Sequence, residues 1–372
     1  MTGNKMDSNP GGMWRYHARL PITNLNNIVS MGEGGTPLVR SVAIGPLLGL
    51  NNLFFKVEGT NPTGSYKDRI ASVGVSYMRE HGIAGWAATS SGNAGAALAA
   101  YGARAGLRGT LIVLETAPRA KLTQILACGP RVVAIKGLGH DPEIEKGTFA
   151  AVREFCARHG FMMQVTAHAF NPISMQGAKT IAYELCEALP NAPGVVYVPT
   201  GGGGLLSAIH KGFGEWCVAE PATGPGTRMV SVQAEGCDPI NAAWREQREL
   251  RPIANCTSAI SGIQLTAPPD GDLALAAVRE SNGWAASVSD EDVYTAQRML
   301  IQREGLFVEP ASAAGVAAVM RDARANRLHS DDTIVCVLTG VGFKDANAAQ
   351  ALSAGAEIPV IELAALASLD PA

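Results

Sequence analysis

The sequence predicts an α/β fold, with two three-layer α/β/α lobes, mostly parallel sheets and a ligand cleft between the lobes. Three observations lead there. Short apolar runs alternate with helical ones along most of the chain, the pattern of parallel sheets covered on both faces. Glycine clusters fall between those runs, where tight strand-to-helix turns are needed. The 372 residues also exceed the ~250–300 that one hydrophobic core organises. We expect residues 1–80 and 170–372 to form a large discontinuous domain and residues 81–169 a small one.

The elements follow in order. Residues 1–12 read as a loose tail without the charged and apolar regions of a signal peptide. An aromatic segment at 13–22 is expected to cover one edge of the core. Turn-rich Gly32-Glu33-Gly34-Gly35-Thr36-Pro37-Leu38 leads to a strand at 53–58, and Pro62 and Gly64 then turn the chain into a helix at 67–81. Strands at 85–89, 110–114, 131–136 and 161–166 alternate with helices up to 105, at 119–128 and at 143–159. A second series has a helix at 174–189, a strand at 194–199, four glycines, a helix from Leu205 and a strand at 229–234. Residues 236–288, rich in Pro, Gly, Asn and Ser, predict irregular chain. Ser289 is expected to cap a helix at 290–303; a helix at 311–326, a strand at 333–338 and a short Ala-rich tail complete the chain.

Composition narrows the function. With 30 Lys+Arg against 33 Asp+Glu, the net charge of −3 offers nothing to a polyanion, so no nucleic-acid partner is expected. No apolar run reaches the ~18 residues of a membrane span, and no membrane partner is expected. Seven scattered cysteines without a C-x-x-C pair read as a reduced, cytoplasmic pattern. The seven histidines have no metal-ligand spacing, so no metal site is predicted.

The chemistry starts at Lys67, which opens a helix. The partial positive charge there disfavours an ammonium, which makes this amine a candidate Schiff-base former. Gly201, Gly202, Gly203, Gly204 and Leu205 stand between a strand and a helix, where amides can cradle a phosphate. There is no G-x-x-x-x-G-K-[ST] and no G-x-G-x-x-G with a partnered acid, which argues against nucleotides. One cofactor needs both a lysine and a phosphate cradle: pyridoxal 5'-phosphate (PLP). Ser90, Ser91, Gly92, Asn93 and Ala94, at another strand-to-helix turn, are candidate donors for an amino-acid carboxylate. Asn93 is also a candidate for the ring hydroxyl of PLP, and Thr339, ending the last strand, for its pyridine nitrogen. A neutral hydroxyl there makes a weaker electron sink than an aspartate, favouring elimination and replacement over transamination.

These residues carry a resemblance. With Trp14-Arg15-Tyr16, the 32–38 turn, Asn61-Pro62-Thr63-Gly64-Ser65-Tyr66-Lys67-Asp68-Arg69, Ser91-Gly92-Asn93, Glu309-Pro310-Ala311-Ser312-Ala313-Ala314 and Thr339-Gly340-Val341-Gly342-Phe343-Lys344-Asp345, the chain resembles threonine synthase and, more widely, the tryptophan-synthase-β-like (fold type II) PLP enzymes. The resemblance implies a PLP-dependent lyase acting by β/γ elimination or replacement on a hydroxy- or O-substituted L-amino acid. It also implies Lys67 as the Schiff-base residue, Asn93 on the ring oxygen, the glycine loop on the phosphate, Thr339 at the ring nitrogen, and a homodimer.

Two stretches differ from threonine synthases. The tetraglycine looks more like serine/threonine dehydratases, which keeps ammonia-lyase activity open. Where that family grips the phosphate of O-phosphohomoserine with an arginine and a polar pair, this chain has His168, Ala169 and Ser174. His168 and Ser174 are therefore candidate substrate contacts, and a substrate other than O-phosphohomoserine is expected. A non-catalytic ligand-binding relative is the remaining alternative.

Overall fold

The computed structural model describes residues 11–139, 141–219 and 226–368; the N-terminal tail expected from the sequence lies almost wholly outside them. The chain runs β1 (Leu38–Arg40), α1 (Ile44–Leu47), β2 (Asn52–Val57), α2 (Lys67–Glu80), β3 (Gly85–Thr89), α3 (Asn93–Arg104), β4 (Arg108–Leu114) and α4 (Arg119–Ala127). Next come β5 (Arg131–Ile135), α5 (Pro142–His159), β6 (Met162–Met163), α6 (Pro172–Met175), α7 (Thr180–Ala188), β7 (Val195–Pro199) and α8 (Gly204–Ala219). It ends with β8 (Arg228–Ala234), α9 (Pro239–Arg245), α10 (Gly271–Glu280), β9 (Trp284–Val288), α11 (Asp290–Glu304), α12 (Pro310–Arg324), β10 (Thr333–Leu338) and α13 (Ala346–Leu352).

The strands make two sheets. The larger has the order β1-β2-β10-β7-β8-β9 and is parallel except for β1; the smaller, β5-β4-β3-β6, is wholly parallel. Alternate residues of each strand face opposite sides, and both sides are apolar. In the large sheet Tyr197, Cys336 and Leu338 pack with Ala314 and Val319 of α12, while Val196, Val335 and Val337 pack with Ile181, Leu206 and Leu275. In the small sheet Trp86 and Leu111 pack under α3, and Ala87 and Ile112 under Val152 and Cys156 of α5. Each layer therefore has helices on both faces, as the fold class requires. Helix α2 joins the two cores, because Ile70 enters the large one and Ala71, Val75 and Met78 the small one. Full burial of such aliphatic side chains contributes ~1.5–3 kcal/mol each, so the helix that opens with Lys67 is pinned from both sides.

Local signals explain several boundaries. Ser289 caps α11 by accepting from the Asp292 amide, and Asp141 caps α5 by accepting from Glu143 and Ile144. Gly160, at φ +62°, ends α5 in the left-handed region.

Four expectations need correction. The strand expected at 161–166 is only Met162–Met163, because the chain leaves the sheet after Gln164 donates to Ala87 O and folds into turns across 165–171. The single helix expected at 174–189 breaks into α6 and α7 around Gly177, where a Cβ would lie 2.0 Å from Arg69 O; α2 passes too close for an uninterrupted helix. Residues 236–288 are not irregular throughout: they hold α9, α10 and the edge strand β9, whose short lengths hide them among turn residues. Finally, Cys237 and Cys256, 19 residues apart and without pair spacing, are disulfide-bonded with Cα atoms 4.7 Å apart, so the cysteines are not all reduced.

Candidate active site

The turn before α2 is held by its own sequence and by a distant strand end. Thr63 closes the turn by donating its amide (2.6 Å) and its hydroxyl to the Asp68 carboxyl. Gly64, at φ +94°, turns the chain. Residues 64–66 then zip onto the end of β10: the Tyr66 amide donates to Thr339 O (3.0 Å) and the Val341 amide to Gly64 O (3.0 Å). This pairing of segments more than 270 residues apart brings Lys67 beside Thr339. The Lys67 amine donates to Thr166 Oγ1 at 2.9 Å and lies 4.7 Å from the centre of the Tyr66 ring.

Behind the lysine lies a dense buried network. The fully buried Arg69 guanidinium donates to both oxygens of Glu58 (2.7 and 2.8 Å) and of Glu184 (2.7 and 2.8 Å). Lys56 Nζ adds bonds to Glu184 Oε2 (2.6 Å) and Thr36 O (2.7 Å), and Asn61 Nδ2 donates to Glu58. Burial alone would raise the Glu184 carboxyl, but Arg69 and Lys56 outweigh it and hold it below its usual range. Asp68 has no such partner, and burial pushes it up to about 7 against its hydrogen bonds from Thr63.

The other predicted residues sit at the ends of neighbouring elements. Asn93 is the first residue of α3, and Ser90 Oγ accepts from the amides of Gly92 and Gly95 (3.3 Å each), so Ser90, Ser91, Gly92, Asn93 and Ala94 form one compact turn. Asn93 Nδ2 donates to both carboxyl oxygens of Glu309 (3.1 Å each). Thr339 Oγ1 lies 3.0 Å from Ser312 Oγ and 3.4 Å from Glu309 Oε1.

Gly201, Gly202, Gly203 and Gly204 lead into α8, with Leu205 in its first turn, where amides have no preceding turn to bond. Gly203 has φ +91°, and its Cβ would lie 2.4 Å from Asp270 O; a Cβ on Gly204 would lie 2.6 Å from Asp270 Oδ2. The Asp270 carboxyl accepts from the amides of His168 (2.7 Å) and Ala169 (2.9 Å), and its own amide donates to Gly202 O (2.9 Å). Asp270 thus ties the glycine turn to the 166–169 segment. Burial lowers His168 despite the nearby Asp270, and its Nε2 is buried without a hydrogen-bond partner.

Ser174 is not brought to this surface. It is fully buried on α6, and its hydroxyl donates to Gln164 Oε1 (3.1 Å). Conversely, Thr166, Asp270, Glu309 and Ser312 join the cluster although sequence reasoning gave none of them a role. Only Glu309 and Ser312 carried a signal, lying in a stretch already singled out.

The cluster fits PLP. It offers an amine at a helix start, a glycine turn that a Cβ would fill, an orphaned imidazole nitrogen, and neutral donors on Asn93 and Thr339. The comparisons agree. The family described as pyridoxal-phosphate dependent enzyme matches residues 29–340. The chain is 36% identical to threonine synthase of Methanocaldococcus jannaschii over 91% of this chain and 82% of that one. It is 35% identical to threonine synthase of Halalkalibacterium halodurans over 91% of each. In fold it is similar to maize serine racemase (TM-score 0.72, 21% identity, 86% of this chain and 92% of that one). It is likewise similar to a threonine deaminase isoform of Solanum lycopersicum (TM-score 0.72, 18% identity, 94% and 95%). The chain belongs to the pyridoxal-phosphate dependent enzymes, with the fold type II architecture, and is a lyase resembling threonine synthase.

Proposed function

We propose that this lyase carries out elimination or replacement at the β or γ carbon of a hydroxy- or O-substituted L-amino acid, with Lys67 as both the cofactor attachment point and the base that moves the substrate α-proton. The observation that carries this reading is the Lys67 amine at the start of α2, 2.9 Å from Thr166 Oγ1 of the segment that Asp270 ties to the glycine turn. When bound, PLP supplies an electron sink at the substrate α-carbon.

The residues divide the remaining work. Amides of Gly201, Gly202, Gly203, Gly204 and Leu205 hold the phosphate, helped by the α8 N-terminus. Asn93 has a second amide proton for the ring hydroxyl, because Glu309 takes only one. Thr339 meets the ring nitrogen. Ser90, Ser91, Gly92, Asn93 and Ala94 receive the substrate carboxylate at the start of α3, and His168 offers its free Nε2 toward the leaving group. Thr166 orients the Lys67 amine, so that the proton it takes is held at Nζ beside Thr166 Oγ1.

Purified protein supplied with PLP tests the reading. Offered O-phosphohomoserine, other O-substituted amino acids and L-threonine in turn, it forms threonine, a replacement product or 2-oxobutyrate. No turnover of any of them would contradict the proposal. The relatives named threonine synthase support the first outcome. The tetraglycine favours the dehydratase reading, for which 2-oxobutyrate is the signature.

The large sheet and the small sheet support a division into 1–80 with 170–372 and 81–169. The likeness to threonine synthases supports a homodimer. The scattered cysteines without a C-x-x-C pair support a cytoplasmic location, and the Cys237–Cys256 pair weighs against it; no helix among the described residues is long and apolar enough to cross a membrane.

A further inference from the structure

Glu309 precedes α12 but caps it with no side-chain bond. Its carboxyl is instead the floor of the cluster. Asn93 donates to both oxygens, Thr339 Oγ1 stands 3.4 Å from Oε1, and Ser312 Oγ lies 3.0 Å beyond on Thr339. Gly340 makes room for it, since a Cβ there would lie 2.5 Å from Oε1 and 2.8 Å from the carboxyl carbon. The carboxyl is buried, and among the described residues no ion pair reaches it. An unpaired buried carboxylate is costly, and a glutamine would satisfy Asn93 at lower cost if packing were the only requirement. The charged groups around it are Lys344 and Asp345 beyond β10 and Lys121 of α4. Burial drives the carboxyl upward, Lys344 and Lys121 oppose this together with Asn93, and Asp345 adds to it.

We propose that Glu309 is a positioning residue that decides whether Thr339 presents a proton or a lone pair to the cofactor ring. The argument rests on proton counting. Thr339 has one hydroxyl proton. Ser312 accepts the Gly340 amide (2.8 Å) and has one proton of its own, for which Gly340 O and Thr339 Oγ1 compete at 3.0 Å each. When Glu309 is ionised, its oxygens can only accept, so Thr339 turns its proton inward and leaves a lone pair facing the cleft. When Glu309 is protonated, it donates to Thr339, and the Thr339 proton is released toward the cleft. A lone pair favours a protonated ring nitrogen and a stronger electron sink; a donated proton favours a neutral ring and a weaker one. One proton gained or lost at Glu309 thus inverts the bond made two atoms away. This inference rests on the proposed meeting of Thr339 with the ring nitrogen.

The test uses PLP-loaded protein and its visible spectrum, recorded upward from the ordinary carboxylate range across the whole pH range in which the protein stays folded, together with PLP affinity by titration. For the wild type the spectrum changes with pH through a single transition. Glu309→Gln keeps the shape and the bond to Asn93 but cannot ionise; it is expected to bind PLP within about threefold of wild type and to lose that transition. Ser312→Ala removes the hydroxyl that shares Thr339 Oγ1 with Glu309 while keeping Glu309, and is expected to move the transition by about 0.5–1 pH unit without abolishing it. This variant carries the test if Glu309→Gln does not fold. A wild-type spectrum that is flat with pH, the same transition in Glu309→Gln, or an unmoved midpoint in Ser312→Ala would each overturn the inference. Failure of the wild type to take up PLP, or a visible band that survives Lys67→Ala, would instead overturn the proposed site.

Discussion

Two polar clusters flank the Lys67 turn, and they are built on opposite rules. Behind it, two cations, Lys56 and Arg69, face two carboxylates, Glu58 and Glu184, and each charge is buried and paired. In front of it, among the described residues, Glu309 makes no ion pair, His168 Nε2 has no hydrogen-bond partner, and the Asn93 amide has a proton to spare. The first arrangement has one stable protonation pattern and is suited to holding a backbone. The second retains bonding capacity, which a cofactor and a substrate can use. Residues close to a reactive lysine in sequence therefore differ in kind: Arg69 is two positions from Lys67 and serves the scaffold, whereas Thr166 is 99 positions away and touches the amine.

Perturbing the rear cluster gives the largest effect. Arg69→Ala leaves the buried Glu58 carboxylate without a cation and Glu184 with Lys56 alone, and is expected to destabilise the protein by ~3–5 kcal/mol, read as a fall in the denaturant midpoint. Retention of wild-type stability would break the contrast between the clusters. Gly203→Ala acts at the front. Its Cβ meets the Asp270 carbonyl at a positive φ, so a cost of ~1–3 kcal/mol is expected. Because the strain falls on the cradle, PLP affinity measured by titration is expected to drop even where the fold persists.

A smaller effect sharpens the comparison through pH. Asp68 titrates near 7 in the folded chain against an ordinary 3.8, so folding favours its protonated form. Its stabilising contribution is complete below about pH 4 and is lost as pH rises through about 7. Glu184 has the opposite sign. Its carboxyl is held below the ordinary 4.5, so its contribution is present above that value and is lost on acidification. Thermal unfolding across this range is expected to show Asp68→Asn flattening the alkaline limb alone. The Glu184 loss on acidification is expected to persist in that variant; an unchanged loss of stability between about pH 4 and pH 7 would contradict the assignment.

Much of the fold was legible because strand and helix periods are local. Lys67, Asn93, the glycine turn and Thr339 could be proposed for the same reason, each lying where an element begins or ends. Thr166 and Asp270 were not, since their roles come from contacts spanning about a hundred residues, and Thr and Asp in turns read as ordinary turn chemistry. Glu309 stood in a recognised stretch, yet a carboxylate before Pro310 reads as a helix-start residue until its direction is known. Ser174 was assigned to the substrate from its place beside Asn171-Pro172, and burial under α2 is a tertiary fact that spacing does not encode. The paired Cys237 and Cys256 were hidden likewise by an uninformative separation. The stretch at 32–38 had no role from sequence; it belongs to the scaffold, with Glu33 accepting from Trp14, Ser72 and Tyr101 and Gly35 donating to Glu184.

The claim that Lys67 holds the cofactor is tested most directly by reductive trapping. PLP-loaded wild-type protein is treated with borohydride, digested and its peptides weighed. The account predicts the pyridoxyl mass on Lys67 alone, and none in Lys67→Ala, whose far-ultraviolet spectrum stays native. A label on another lysine, or an undiminished label in Lys67→Ala, would contradict it.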